Sequence, residues 1–252
     1  MSGRAVSVVM ATFNGERFLE EQLASILAQL KGDDELIVVD DASTDGTLSI
    51  LHACKGPHVQ IVANPTNVGV RKSFELGLHI AQRPIVFLSD QDDVWAEGKR
   101  AAFTAAFAQS QDVTAVVSDA QVIDASGRTL ASSFMTSRGG FKGSFLSNLV
   151  RSRFLGCAMA VHRSVLERAL PIPSYVPMHD MWLGVIASLV GRVSFLDECY
   201  VRYRRHDRNL SPERPSDAAR MVWWRLTLSA AVAARMTSRV RARGLARSTG
   251  GG

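Results

Sequence analysis

Apolar and polar residues follow one another along the first part of the chain in blocks that predict alternating strands and helices. Residues 6–11 and 35–40 are short apolar runs rich in β-branched side chains, a composition typical of strands. The run at 35–40 has almost no polar interruption, which is typical of a strand buried on both faces of a parallel sheet. Residues 16–30 repeat large apolar side chains at the spacing of one helix face.

The same alternation continues to residue 89 and predicts the order β-α-β-α-β-α-β. Helices are expected within 43–53 and at 71–81, and strands at 59–62 and 84–89. This order favours the α/β class, with an open, mostly parallel sheet and helices on both faces. Ligands of such sheets bind at the carboxyl ends of the strands.

A polar cluster follows each of these four predicted strands. In chain order the clusters are Thr12-Phe13-Asn14-Gly15, Asp40-Asp41-Ala42-Ser43-Thr44-Asp45, Asn64-Pro65-Thr66-Asn67-Val68-Gly69 and Asp90-Gln91-Asp92-Asp93. Because parallel strands end at the same edge of a sheet, we expect the four clusters to face one cleft.

The pattern is looser after residue 95. It predicts a helix at 101–108 and one at 180–190, and strands at 113–117, 120–123, 156–161 and 199–205. We interpret residues 1–212 as one domain with halves at about 1–95 and 96–212. A basic helical tail is expected over 213–252, with its last residues disordered.

Composition is that of a soluble globular protein. The chain has 252 residues, of which 46% are hydrophobic and 21% charged. No apolar run is long enough for a transmembrane helix, and the start lacks the apolar core of a signal peptide. Three widely spaced cysteines indicate reduced thiols, so a cytoplasmic location is expected.

The acidic loop at 90–93 is the strongest candidate for a metal site. Three carboxylates in four residues repel one another unless a cation lies between them. Oxygen ligands of this kind suit Mg²⁺ or Mn²⁺, which keep open positions for substrate phosphates. The alternative is that Asp93 caps the next helix while its neighbours are solvated.

The second polar cluster mixes helix capping with possible ligand contacts. Ser43 or Thr44 is suited to cap the following helix, with Asp45 in its first turn. Capping does not explain Asp40 and Asp41 at the end of an apolar strand. A carboxylate there is able to accept a hydrogen bond from a pyrimidine N–H.

Seven short motifs together resemble family 2 glycosyltransferases of the GT-A fold. They are Thr12-Phe13-Asn14, Asp40-Asp41-x-Ser43-x-Asp45, Asn67-x-Gly69, Asp90-x-Asp92-Asp93, Gly156-Cys157, His179-Asp180-x-Trp182 and Tyr203-Arg204-x-His206. Their order over residues 5 to 210 is more specific than any one of them. The Asp-Gln-Asp-Asp and Tyr-Arg-x-His forms look most like the rhamnosyltransferase-like branch that builds bacterial surface polysaccharides.

The resemblance implies transfer of a sugar from a nucleoside diphosphate to an acceptor hydroxyl, with inversion. It makes Asp180 the general base, although Asp180 is equally placed to cap the helix that follows it. It assigns Asp92, Asp90 and His206 to a Mg²⁺ or Mn²⁺ ion. The alternative for His206 is an exposed side chain beside two arginines.

The resemblance also implies which residues contact the donor and the acceptor. The expected nucleotide-binding residues are Thr12, Asn14, Asp40, Asp41, Arg71, Lys72 and Asp90. The expected donor- or acceptor-lining residues are Asp93, Trp95, Gly156, Cys157, His179 and Trp182. For the two tryptophans, packing in the core is an equally good interpretation.

The partners implied are a nucleotide-sugar donor and a glycan or polyprenyl-linked acceptor. dTDP-rhamnose is favoured by the resemblance, while UDP-sugars and GDP-mannose stay open. The basic tail predicts either a helix packed on the domain or contact with an anionic inner membrane surface. Nucleic acid is not expected as a partner, because the acidic cleft repels phosphate backbones.

Two other functional classes remain as alternatives. A nucleotidyltransferase uses a similar sheet and metal, but Thr12-Phe13-Asn14-Gly15 is not the glycine-rich phosphate loop that such an enzyme needs. A non-catalytic nucleotide-sugar-binding protein would need no general base at Asp180.

Overall fold

The computed structural model describes residues 4–54, 56–142, 144–145, 148, 153–207, 209 and 222–236. The strands are β1 (Val6–Thr12), β2 (Glu35–Asp40), β3 (Val59–Ala63), β4 (Ile85–Ser89), β5 (Val94–Trp95), β6 (Val113–Ile123), β7 (Thr129–Ala131), β8 (Met159–His162) and β9 (Arg192–Arg204). The helices are α1 (Leu19–Leu27), α2 (Thr47–Ala53), α3 (Val70–Ile80), α4 (Lys99–Ala108), α5 (Phe134–Ser137), α6 (Arg163–Ala169), α7 (His179–Val190) and α8 (222–236).

All nine strands form one sheet with a parallel and a mixed half. The order is β3-β2-β1-β4-β8-β6-β9-β5, with β7 paired to β6. Strands β1 to β4 are parallel to one another, as the alternating pattern predicts. Strand β8 runs antiparallel to both β4 and β6, so the sheet is mixed beyond β4.

The alternation of side chains along the strands divides the core between the two faces of the sheet. On β1, Val8 and Met10 pack with α1 and α4, whereas Val9 packs with α3 and α7. Helix α3 lies very close to the sheet, because a Cβ added at Gly77 would meet Cγ1 of Val9 at 2.5 Å. This packing fixes the loops that precede α3 at the carboxyl edge of the sheet.

The C-terminal helix packs on the domain by one face. Leu228, Ala231 and Val232 of α8 are buried in the same core cluster as α7. The predicted tail lies partly outside the described residues, since 210–221 and 237–252 are not among them. Within the described part of the chain, none of the helices combines the length and apolarity that spanning a bilayer requires.

Four predicted strands differ from the structure. Residues 113–117 and 120–123 form one strand, β6, and the last predicted strand begins earlier, at Arg192. Residues Gly156–Ala158 form a 3₁₀ turn, with β8 starting only at Met159. A strand could not continue through this turn, because its backbone faces the side chains of α4 and α7.

Candidate active site

The first two polar clusters are joined to each other by hydrogen bonds. Asn14 has a positive φ of 49°, and its side-chain oxygen accepts from the backbone N–H of Thr44 at 2.8 Å. The N–H of Asn14 donates to the Ser43 hydroxyl at 2.9 Å. Phe13, the residue before Asn14, is 44% exposed. The loop after β1 therefore exposes an aromatic residue while the side chain of Asn14 holds the neighbouring loop.

Asp40 and Asp41 are buried at the end of β2, and that they contact a nucleotide stays a prediction. Asp40 is 0% exposed and accepts from the hydroxyls of Thr12 at 2.9 Å and Ser43 at 2.6 Å. Thr12 is likewise 1% exposed, so its hydroxyl is committed to Asp40 instead of a ligand. These groups shape the cleft from inside because desolvating a carboxylate requires internal hydrogen-bond donors.

Asp41 organises the loop before α3. Its carboxylate accepts from the Asn64 side chain at 2.9 Å and from the N–H groups of Val68 and Gly69 at 2.9 and 2.8 Å. Burial acts to raise the pKa of Asp41, but these hydrogen bonds outweigh it and hold the pKa below its usual range. The carboxylate is therefore ionised and fully engaged in holding the third polar cluster.

Arg71 and Lys72 lie at the start of α3 and line a recess. The guanidinium of Arg71 donates to the carbonyl of Pro173 at 3.0 Å, and Lys72 is exposed. The recess has a volume of about 360 Å³ and also involves Glu75, Leu76, His79, Ile172 and Ser174. Nucleotide contacts by Asn14, Arg71 and Lys72 stay predictions.

The acidic loop is held by its neighbours on several sides. The amide of Gln91 pairs with the backbone of Phe13 in both directions, at 2.8 and 3.1 Å. Gln22 donates to the carbonyl of Asp90 at 2.9 Å. Arg204 donates from its side chain to the carbonyl of Asp92 at 2.8 Å. The loop is therefore preorganised before any ligand binds.

His206 meets the acidic loop at Asp92. The imidazole Nε2 lies 2.8 Å from Oδ2 of Asp92, and the His206 side chain is 7% exposed. The imidazole also packs against the ring of Phe18. The structure thus brings together two of the three predicted metal ligands and excludes the alternative that His206 is an exposed side chain.

Asp90, Asp93 and Cys157 form a second group beside this pair. Their ligand atoms lie within 4.8 Å of one another. Burial, followed by the charges of Asp93 and Asp92, raises the pKa of Asp90 well above its ordinary value. Burial and the charge of Asp92 raise the pKa of Asp93 to about 7. The carboxylates therefore lack enough compensating positive charge to ionise together.

This arrangement fits a divalent cation. Oδ2 of Asp93 is buried without a hydrogen-bond partner among the described residues, as is usual where a further ligand completes a site. Carboxylate oxygens with one imidazole are ligands that Mg²⁺ and Mn²⁺ accept. Asp92 and His206 contact each other, whereas Asp90 lies with Asp93 and Cys157. That Asp90, Asp92 and His206 together hold such an ion stays a prediction.

Asp93 and Cys157 are buried beside the acidic loop, and that they line a donor or acceptor site stays a prediction. Asp93 is 0% exposed, and its Oδ1 accepts from the N–H of Arg204 at 2.8 Å. Cys157 is 1% exposed, and burial raises the pKa of its thiol well above the usual value. Both side chains lie beneath the cleft.

Asp180 lies at the first turn of α7, facing the same region as the acidic loop. Its Oδ2 accepts from the N–H of Gly156 at 3.2 Å and its Oδ1 from the N–H of Met181 at 2.7 Å. Burial raises the pKa of Asp180 to about 6, against the lowering effect of these two hydrogen bonds. Gly156 precedes Cys157, whose Sγ lies within 4.8 Å of carboxylate oxygens of Asp90 and Asp93, so Asp180 lies beside the acidic loop.

His179 is buried beside Asp180 with no hydrogen-bond partner among the described residues for either ring nitrogen. It stacks on Phe74 with ring centroids 3.9 Å apart. A Cβ added at Gly156 would lie 3.6 Å from both Nε2 of His179 and Oδ2 of Asp180. Burial lowers the pKa of His179 to about 3, so the imidazole is neutral and faces Asp180 across Gly156.

Both predicted sugar-lining tryptophans are core residues. Trp182 is 0% exposed and donates from Nε1 to the carbonyl of Ala169 at 2.8 Å. Trp95 is 3% exposed and packs on Phe87. The structure therefore supports the interpretation that both tryptophans pack in the core.

Two residues of the site were not predicted. Gln91 clamps the first cluster to the fourth, and Lys99 is fully buried behind the acidic loop with its ammonium 2.6 Å from the carbonyl of Cys157. Desolvation lowers the pKa of Lys99 to about 7, while nearby Asp93 and Asp90 act to raise it. The sequence does contain a signal for the burial of Lys99. Lys99 lies at helical spacing from Phe103 and Phe107, so the three residues share the buried face of α4.

A protein-family profile matches most of the chain. The profile described as Glycosyl transferase family 2 matches residues 7–170. An uncharacterized glycosyltransferase of Nostoc sp. is 26% identical over 213 residues, which are 81% of this chain and 66% of that relative. The dTDP-rhamnosyl transferase RfbG of Shigella flexneri is 35% identical over 97 residues, which are 36% of this chain and 34% of that relative. The chain thus matches two-thirds or less of the length of these relatives.

Solved structures share the fold. S. aureus TarS 1-349 in complex with UDP-GlcNAc superposes with a TM-score of 0.67 at 21% identity, over 86% of this chain and 64% of that one. The mannosyltransferase PcManGT from Pyrobaculum calidifontis, in complex with GDP-Man and Mn²⁺, gives a TM-score of 0.60 at 21% identity, over 97% and 80%. These likenesses confirm the predicted GT-A fold class.

Proposed function

The chain belongs to glycosyl transferase family 2, and we propose that it moves a sugar from a nucleoside diphosphate to a hydroxyl group of a glycan or lipid-linked acceptor. The observation that carries the proposal is the position of Asp180 beside the acidic loop. Asp180 accepts from the N–H of Gly156, and the Sγ of the next residue, Cys157, lies within 4.8 Å of carboxylate oxygens of Asp90 and Asp93. A proton acceptor beside a cation-binding loop is what sugar transfer to a hydroxyl requires. The family match gives no support to a nucleotidyltransferase, and a protein that only binds nucleotide-sugars would need no base there.

Asp180 is proposed as the general base of an inverting reaction. It takes the proton of the acceptor hydroxyl as the acceptor oxygen bonds to the anomeric carbon, and the nucleoside diphosphate leaves with the electron pair of the broken bond. The hydrogen bonds from Gly156 and Met181 support this role, because they fix both carboxylate oxygens in one orientation.

Asp90, Asp92 and His206 are proposed to hold Mg²⁺ or Mn²⁺. Such an ion, when bound, acts as a Lewis acid on the departing diphosphate. The proposal is supported by the close contact between Asp92 and His206 and by the buried, unpartnered oxygen of Asp93 among the described residues. Gln91 keeps this loop against Phe13, whose exposed ring is available to stack on a nucleotide base.

The donor proposed first is dTDP-rhamnose, for synthesis of a bacterial surface polysaccharide. Support comes from the Asp-Gln-Asp-Asp and Tyr-Arg-x-His motifs and from the likeness to RfbG, a dTDP-rhamnosyl transferase. UDP-GlcNAc and GDP-mannose are the next candidates, since structures that share the fold hold these molecules. We further propose that the protein acts in the cytoplasm, at the inner face of the membrane.

A donor-hydrolysis screen tests the proposed function. Wild-type protein is incubated with each nucleotide-sugar and Mn²⁺, with and without EDTA, and release of the nucleoside diphosphate is measured. We expect release from one donor class, loss of release with EDTA, and a decrease of about 10²- to 10⁴-fold in Asp180→Asn. Asp180→Asn should still be stabilised by the same diphosphate and Mn²⁺ in a thermal shift. Near-wild-type turnover of this variant would rule out the assignment of Asp180.

A further inference from the structure

Lys99 is a cation in the interior of the protein, at the first residue of α4. Its side chain is 0% exposed and lies among the buried rings of Trp95, Phe103 and Phe87. Burial of an ammonium group costs several kcal/mol unless other groups compensate it. A lysine in this position therefore has to be explained by what surrounds its Nζ atom.

Two kinds of group surround the ammonium. Nζ donates to the carbonyl oxygen of Cys157 at 2.6 Å and lies 4.2 Å from the centre of the Trp95 ring. The same residue, Cys157, has its Sγ within 4.8 Å of carboxylate oxygens of Asp90 and Asp93, and the charges of these carboxylates act to raise the pKa of Lys99. The positive charge thus lies directly behind the acidic loop, on the side away from solvent.

The carbonyl that Lys99 holds belongs to the turn that carries the hydrogen-bond donor of the general base. Cys157 is in the 3₁₀ turn Gly156–Ala158, and the N–H of Gly156 donates to Oδ2 of Asp180. Lys99 therefore contacts the turn beside Asp180 and neutralises part of the charge of the acidic loop. Among the described residues, no other lysine is fully buried.

We propose that Lys99 is a positioning residue whose buried amino group, in its protonated form, lies behind the acidic loop, holds the loop against the Gly156–Ala158 turn and weakens its affinity for a divalent cation. A positive charge at this place keeps the carboxylates together before a cation binds. It also makes the cation easier to release, because part of the negative charge is already compensated. The inference rests on the proposed cation site, but its first test does not require enzymatic turnover.

The first test measures cation binding to the protein alone. MnCl₂ is titrated calorimetrically into metal-free wild-type protein, Lys99→Met and Lys99→Gln. Both variants are neutral and close to lysine in length, and we expect Mn²⁺ to bind more tightly to each, on the order of tenfold. Lys31→Met is the matched control, because Lys31 is an exposed lysine before β2 whose removal changes the net charge equally. Equal or weaker Mn²⁺ binding by both Lys99 variants overturns the proposal.

A second measurement separates the charge from the hydrogen bond. Gln at position 99 is able to donate to the Cys157 carbonyl, whereas Met is not. In the donor-hydrolysis assay, we expect Lys99→Met to lose on the order of 100-fold in kcat with little change in donor KM, and Lys99→Gln to lose less. If both variants lose kcat equally and bind Mn²⁺ like the wild type, Lys99 has only a packing role.

If the Lys99 variants are less stable than the wild type, Mn²⁺ binding is compared through its effect on the thermal unfolding midpoint. Mn²⁺ should then raise the unfolding midpoint of both neutral variants by more than it raises that of the wild type, since tighter binding to the folded state stabilises it more. An equal or smaller rise overturns the proposal. Should the wild type bind Mn²⁺ but hydrolyse no donor, the proposed function fails while the role of Lys99 is still decided by the titration.

Discussion

The imidazole Nε2 of His206 lies 2.8 Å from Oδ2 of Asp92, although 114 positions separate the two residues in the sequence. Strand β9 makes this contact possible, because it pairs with β5, the strand directly after the acidic loop, and the N–H of Arg204 donates to Asp93. The end of β9 therefore lies beside the acidic loop. The resemblance assigns Asp92 and His206 to one ion, and their contact supports that assignment.

Replacement of His206 should weaken cation binding. His206→Ala removes an imidazole from the proposed ligand set, so we expect the Mn²⁺ concentration for half-maximal donor hydrolysis to rise on the order of 10- to 100-fold. His52→Ala is the control, because His52 is an exposed histidine on α2. An unchanged Mn²⁺ requirement in His206→Ala would exclude His206 as a ligand.

The activity should fall on the acidic side of neutral pH. A general base must be ionised, and burial raises the pKa of Asp180 from 3.8 to about 6. Below that pH the ionised fraction falls tenfold per pH unit, so kcat/KM should decrease with a midpoint near pH 6. The measurement is kcat/KM for the donor across the pH range in which the fold stays intact. A midpoint near the ordinary carboxyl value would contradict the role of Asp180 or its burial.

Local patterns were sufficient to predict the parallel half of the sheet. Strands β1 to β4 are continuous apolar runs, and their predicted bounds agree with the structure to within a residue or two. Strand β6 was predicted as two pieces because Ser118 and Asp119 interrupt its apolar pattern. The structure buries Asp119 within the strand, where the Met135 N–H and the Ser133 hydroxyl donate to its carboxylate. Such partners are distant in sequence, so no local pattern predicts them.

The candidate site was predictable in its position but not in the division of roles. The motifs predict one site for the acidic loop, Asp180 and His206, and in the structure His206 contacts Asp92 of the loop. They do not reveal that Asp40 and Asp41 are buried, because that depends on donors such as Ser43 and Gly69 in the folded loops. They also do not reveal that Lys99 lies behind the acidic loop, because its position depends on how α4 packs against the sheet in the folded protein.

His179 should affect transfer and stability in opposite directions. Its ring nitrogens are buried without partners among the described residues, which costs about 1–3 kcal/mol for each unsatisfied group. His179→Phe removes both nitrogens while keeping an aromatic ring on Phe74, so the unfolding midpoint should stay the same or rise. We expect sugar transfer to the acceptor to fall at least tenfold, because the neutral imidazole that packs beside Asp180 is then lost from the surroundings of the proposed base.

The control for His179 is donor hydrolysis by water. Hydrolysis does not depend on acceptor hydroxyl groups, so it should change much less than transfer in His179→Phe. If the unfolding midpoint falls and both reactions decrease in parallel, His179 is a structural residue of the core around Phe74.

The outer face of α8 should contribute to binding of anionic membranes. Val222, Trp223 and Leu226 are 50%, 53% and 65% exposed and lie within one turn of each other, while Leu228 and Val232 hold the opposite face in the core. Removal of the whole tail would expose that core, so single-face substitutions are the better experiment. Trp223→Ser with Leu226→Ser should decrease pelleting with vesicles that contain anionic lipid, and added salt should decrease it further.

The matched control for this last experiment is Leu130→Ser, which removes an equally exposed leucine from β7. It should leave pelleting unchanged, because β7 lies on the sheet edge and carries no part of the basic tail. Neutral vesicles give the second comparison, since the net charge of +5 includes many C-terminal arginines that attract anionic headgroups. Equal pelleting of the wild type and the α8 double variant on anionic vesicles would show that α8 only packs on the domain.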